Sequence, residues 1–80
     1  MGIKNALVLR FKMLCKEKNI KSNSLATMAG VTPSTVYSAF SSDRKDIGIV
    51  TIKKLCDGLD ISIYEFFNHE IFANLEQEIV

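Results

Sequence analysis

The side chains able to do chemistry are few, and their spacing narrows what that chemistry can be. Cys15, Cys56 and His69 are the soft donors. Forty residues separate the cysteines and the histidine is single, so no pair stands at metal-site spacing. Both cysteines lie in apolar stripes and read as small core residues. The sequence holds no glycine-rich phosphate loop and no nucleophile beside a base. Catalysis, a bound metal and a cofactor are therefore not expected. What does cluster is hydrogen-bonding and cationic. Ser22-Asn23-Ser24 comes first, then Thr32, then Ser34, Thr35, Tyr37 and Ser38, then Arg44-Lys45. Hydroxyls that donate and accept, followed by two fixed cations, suit a polar, negatively charged partner.

The charge distribution points the same way. The net charge of +1 hides an asymmetry. Residues 1–54 carry all ten basic residues and three acids, Glu17, Asp43 and Asp46, a balance of +7. Residues 55–80 carry six acids and no base, a balance of −6. A basic body with an acidic end is what a polyanion binder shows when the acidic end faces away. Eighty residues make one domain with a thin core. No signal-peptide stretch or membrane-length apolar run occurs, and two cysteines make no disulfide framework. A cytoplasmic location with reduced thiols is expected.

The elements that must hold these groups are helical. Leu7, Phe11 and Leu14 recur at helical spacing, which predicts a first helix from about Lys4 to Lys18, stopped at Asn19. Ser22-Asn23-Ser24 offers capping oxygens for a second helix, whose apolar face is Leu25, Ala26 and Ala29. Gly30 stops it where a left-handed backbone is needed. Thr32 caps a third helix and Pro33 occupies its first position, with Val36 and Phe40 facing inward. Ser41 to Gly48 is a polar loop. Gly48 starts a fourth helix with an inward face of Ile49, Ile52, Leu55, Cys56 and Leu59. Ser62 and Glu65 stand at capping-box spacing, which starts a fifth helix carrying Phe66 and Phe67. Ile71, Phe72, Leu75 and Ile79 predict an amphipathic helical tail.

Helices two and three, joined by about four residues with a glycine, must pack steeply, and the alanines at 26 and 29 permit the close approach. The third helix then protrudes with a short polar face, a shape that fits a DNA major groove. Leu25-Ala26, Ala29-Gly30-Val31-Thr32 and Ser34-Thr35-Val36 stand here in a telling order. Thr51-Ile52-Lys53-Lys54-Leu55-Cys56-Asp57-Gly58-Leu59 and Glu65-Phe66-Phe67 follow them. In order and spacing, over residues 5–67, these resemble the Cro/repressor-type helix-turn-helix domains of the xenobiotic-response-element group. That family includes phage repressors and small bacterial regulators.

The resemblance implies an all-α, five-helix, lambda-repressor-like domain over residues 1–67, followed by an acidic tail over 68–80. It implies a sequence-specific transcriptional regulator, a repressor, with the helix Pro33–Phe40 as its recognition helix. Ser34, Thr35, Tyr37 and Ser38 are then the base-contacting candidates. Ser22, Asn23, Ser24, Thr32, Arg44 and Lys45 are the phosphate-contacting ones. Double-stranded DNA is the expected partner, bound by a homodimer on a two-fold site. The alternative is a protein-binding module, antitoxin-like or an adaptor, that keeps the fold and presents its apolar tail to a protein partner.

Three departures from the family pattern stand out. Where the family often pairs an arginine with a glutamate, this chain has Cys15 and Phe40, an apolar pair expected to pack together. The loop before the fourth helix is slightly longer, and Asp60 takes the place of the usual glycine. The recognition helix lacks arginine, asparagine and glutamine, the strong bidentate base readers. Thr35 and Tyr37 can instead pack on a thymine methyl, so an A·T-leaning site is expected.

Overall fold

Leu7, Phe11 and Leu14 do form the buried stripe of the first helix, α1, which runs Ile3–Glu17 in the computed structural model. The structure describes residues 1–79. Asn19 ends the helix with φ 55°, and Ile20 N–H donates back to the Cys15 carbonyl at 2.8 Å. The second helix, α2, is Ser22–Ala29. Its N-cap is Lys21, with no side-chain cap. Ser22, Asn23 and Ser24 are thus its first three helical residues and not its caps. Leu25 N–H bonds the Lys21 carbonyl at 2.9 Å, so the helix starts one residue earlier than its serines suggest.

Gly30, at φ 71°, turns the chain into α3, Pro33–Phe40. Thr32 caps α3 by accepting from the Thr35 N–H at 3.3 Å. The helix α4 is Ile49–Gly58, with Gly48 as N-cap. Ile52, Leu55, Cys56 and Leu59 are buried as expected, but Ile49 is 63% exposed. Ile47, two residues earlier, fills the core at that end instead. The short helix α5, Ile63–Phe67, starts with the full capping box of Ser62 and Glu65. Arg10 closes its other end, donating to the carbonyls of Phe66 at 2.8 Å and Glu65 at 3.0 Å. A cation at a helix C-terminus is favourable both as a donor and against the dipole. The described residues contain five α-helices and no strand.

The core is an aromatic stack with aliphatic sides. The ring of Phe11 lies 4.4 Å from Phe66 and 5.8 Å from Phe40, joining α1, α3 and α5. Phe40 stacks on Phe11, which stands one turn before Cys15. Cys15 itself is only half-buried, at the edge of the core. Among the described residues no polar or charged side chain is buried. Each large side chain removed from water stabilises the fold by roughly 1.5–3 kcal/mol.

Cys56 is fully buried, and burial, with Asp57 nearby, pushes its thiol up to about 11 from 9.0. Burial also raises Cys15. Both thiols are free and stay protonated near neutral pH. A thiol-reactive dye is expected to label Cys56 slowly in the folded chain and quickly in denaturant. Between pH 9 and 11 the unfolded chain releases the Cys56 proton while the folded chain keeps it, so stability falls as pH rises there. Rapid labelling of Cys56 without denaturant would place it at the surface.

Asp60, at the place of the family's glycine, has φ 58°. Aspartate tolerates the left-handed region better than most residues but still pays strain that glycine does not. Asp60→Gly is expected to raise the melting temperature by several degrees, for about 0.5–1 kcal/mol. An unchanged or lower midpoint in a thermal melt would show that the turn carries no such strain.

The tail departs from the expected amphipathic helix. It makes a single 3-10 turn, Glu70–Phe72, and residues 75–79 are irregular. The expected element extended to Val80, which lies outside the described residues. Phe72 does fold back, with its ring 5.0 Å from Phe67 and 5.8 Å from Phe66. Ile79 stays 86% exposed. A short helix here would be marginal and would place Glu76 and Glu78 at its unfavourable C-terminal end. The chain instead runs to the start of α1. There Glu76 N–H donates to the Met1 carbonyl at 3.0 Å, and its carboxylate lies 3.6 Å from the Met1 ammonium. α1 has no acid in its first turn and no side-chain cap, so the tail brings its negative charge to a helix start that lacks it.

Candidate nucleic-acid interface

Two close packings place α3. α2 rests on α4 so tightly that a Cβ on Gly58 would come within 2.9 Å of the Ala29 backbone nitrogen. α3 then packs on α2 through the turn Gly30–Thr32, with Val31 N–H bonded to the Ala26 carbonyl at 3.0 Å. Val36 and Ala39 are the buried face of α3. Pro33, Ser34 and Tyr37 are the exposed face, with Ser38 half-buried beside it. Tyr37 is 79% exposed. Its neighbour Thr35 is half-buried, and its hydroxyl pairs with that of Thr32 at 3.0 Å. Thr32 and Thr35 therefore spend their hydroxyls on each other and on the helix start, leaving Thr35 its methyl to offer.

Two grooves flank the exposed face. One, of about 310 Å3, lies between α3 and the start of α4; Ser34, Ser38, Arg44 and Thr51 line it. The carboxylate-bearing Asp46 lines it too, one acid among these donors. The other, of about 420 Å3, is walled by Lys12, Ser22, Asn23, Tyr37 and Ser42. The structure thus brings Ser34, Ser38 and Arg44 to one groove, and Tyr37, Ser22 and Asn23 to the other. Ser24 is exposed on α2 and lines neither. Lys45 lines a separate apolar pocket beside Lys4, Ile47 and Phe67, apart from Arg44.

Lys12, Thr51 and Lys4 are the additions to the expected set. Lys12 is off the apolar stripe of α1, the one sequence signal it had. No sequence signal marks Lys4, whose ammonium donates to two carbonyls of the loop after α3. Among the described residues no three His, Cys, Asp or Glu side chains could hold a metal ion together, and no helix is long and apolar enough to cross a membrane.

Two short helices joined by a tight glycine turn, the second exposed and flanked by hydroxyls, amides and cations, define a helix-turn-helix module. The model of the Cro/C1-type HTH DNA-binding domain matches residues 10–70, and the chain belongs to that family. Its fold is also that of a prophage protein, "prophage Lp1 protein 11". The crystal structure of that protein superposes with a TM-score of 0.81 at 30% identity, covering 94% of this chain and 100% of the other. Comparison with curated proteins gives no match. The chain is a DNA-binding helix-turn-helix domain.

Proposed function

We propose that the chain is a transcriptional repressor that docks α3 in the major groove of duplex DNA. The observation that carries this reading is the exposed Ser34–Tyr37 face standing between the two grooves. Backbone amides at the start of α2, with Ser22 and Asn23, suit a phosphate on one side. Arg44 suits one on the other. Phosphate contacts fix register, and the α3 side chains read bases. Tyr37 is the principal reader by this account, through apolar contact with a thymine methyl, and the site leans to A·T. Thr35 adds its methyl. Two copies on a two-fold operator, with half-sites about one helical turn apart, complete the proposal.

The test is duplex binding by fluorescence anisotropy, with the preferred site first selected from a random library. Affinity is expected to fall with salt by a log–log slope of ~0.9 per neutralised phosphate. Tyr37→Ala is expected to lose roughly 1–2 kcal/mol on the preferred site and much less on random duplex. An equal loss on both duplexes would make Tyr37 a positioning residue. No loss on either would take α3 out of the groove, and failure to bind any duplex even at low salt would favour a protein partner.

A further inference from the structure

We propose that Lys4 is a positioning residue for DNA docking, holding in place the turn from which Arg44 projects. This rests on the reading above. The segment after α3 has little structure of its own. Ser41 ends the helix in an extended conformation, and residues 41–44 make a single turn, with Arg44 N–H bonded to the Ser41 carbonyl at 3.2 Å. Ser41 Oγ accepts from the Asp43 N–H at 3.2 Å. These two bonds are local and the second is exposed, and local bonds of this kind open easily without a tertiary anchor. The next apolar anchor is Ile47, three residues beyond Arg44.

Lys4 supplies the link to the body of the protein. Its ammonium donates to the Ser41 carbonyl at 2.9 Å and to the Arg44 carbonyl, so one side chain grips both ends of the turn. Lys4 is half-buried and sits in the first turn of α1, next to the buried Ala6 and Leu7. The base of the Arg44 side chain is thereby tied, through a single residue, to a helix whose Leu7 and Phe11 lie in the core. Arg44 is exposed and has no carboxylate partner within ion-pair distance among the described residues. A long, unpaired side chain loses much conformational freedom when it is fixed on a phosphate. Fixing its backbone beforehand lowers that loss. Two of the three ammonium donors of Lys4 are already given to the two carbonyls, so by this proposal it acts through Arg44 and not as a phosphate contact itself.

The experiment is a double-mutant cycle in the full chain, read by duplex anisotropy over a range of salt. Lys4→Met keeps the stem and removes the ammonium; Lys4→Gln is the second variant if the first fails to fold, as judged by its thermal melt. Arg44→Ala is expected to lower affinity and flatten the salt slope by about 0.9, one phosphate contact. Lys4→Met is expected to reproduce a large part of both effects, and adding it to Arg44→Ala should change nothing further. Lys4→Arg, which can reach both carbonyls, should restore wild-type binding. Without DNA, hydrogen exchange at the Arg44 amide should speed up in Lys4→Met.

Additive losses, with the slope flattened by a further 0.9 or so, would make Lys4 a phosphate contact and overturn the proposal. Unchanged affinity in Lys4→Met would overturn it as well. Unchanged Arg44 exchange would sink the clamp while leaving the DNA reading intact. A wild-type chain that binds no duplex would sink the DNA reading itself.

Discussion

Phe11→Ala is expected to lower the unfolding free energy by roughly 3–5 kcal/mol, the usual loss for deleting a buried phenylalanine. A domain of this size has about 4–12 kcal/mol in all. Phe11 is fully buried and its ring touches both Phe40 of α3 and Phe66 of α5. Removing it leaves a cavity and breaks two aromatic pairs, each contributing about 0.5–1.5 kcal/mol beyond its buried area. No neighbour can fill the gap cheaply, because Phe66 is itself held against Phe67 and Phe72. Phe11→Leu should lose much less, since it keeps most of the volume. The measurement is a urea transition for each variant. A loss below about 1 kcal/mol for Phe11→Ala would mean that the aromatic stack does not hold α1, α3 and α5 together.

Gly58→Ala is expected to destabilise by about 1–3 kcal/mol and to weaken DNA binding further than that loss of folded protein explains. Two effects oppose each other. Alanine favours a helix over glycine by about 1 kcal/mol. Against this, the added Cβ would lie 2.9 Å from Ala29 N and 3.0 Å from Ala29 Cα and from the Met28 carbonyl carbon. All three are backbone atoms, which no rotamer change can move aside, so the collision wins. α2 must shift as a body, and α3 follows it through the turn at Gly30. Gly48→Ala is the control for stability alone, because a Cβ there meets nothing within 4 Å and only the modest N-cap preference of glycine is lost. Equal stability and affinity for Gly58→Ala and wild type would show that α2 and α4 have slack at their crossing.

These residues also show what could be read from the sequence. The third helix, Pro33–Phe40, is legible to the residue, because Thr32 and Pro33 set its start by local chemistry alone. The Ser62 box and the left-handed stops at Asn19 and Gly30 are legible for the same reason. The start of α2 misled, since Ser22, Asn23 and Ser24 are equally good at a cap and in a first turn; burial of Leu25 and Ala26 decided between them. Ile49 misled because period alone cannot say where the neighbouring helix ends. In the tail, the apolar spacing suggested a helix. What forms instead depends on packing of Phe72 on Phe66 and Phe67 and on a contact from Glu76 to Met1 that spans most of the chain. Lys4, Arg10 and Lys12 were hidden for one shared reason. A lysine or arginine on a helix reads as solvated until the fold shows which carbonyl or groove lies within its reach.

The exposure of Tyr37 has a practical use as an optical probe. The chain has no tryptophan and two tyrosines, Tyr37 on α3 and Tyr64 on α5, the latter 77% exposed. Tyr64→Phe would leave a single phenol emitter, standing on the exposed face of α3. Its fluorescence would then report the surroundings of that helix without an attached dye. Bases brought against the phenol would dim the emission, whereas a partner seated elsewhere would leave the light unchanged.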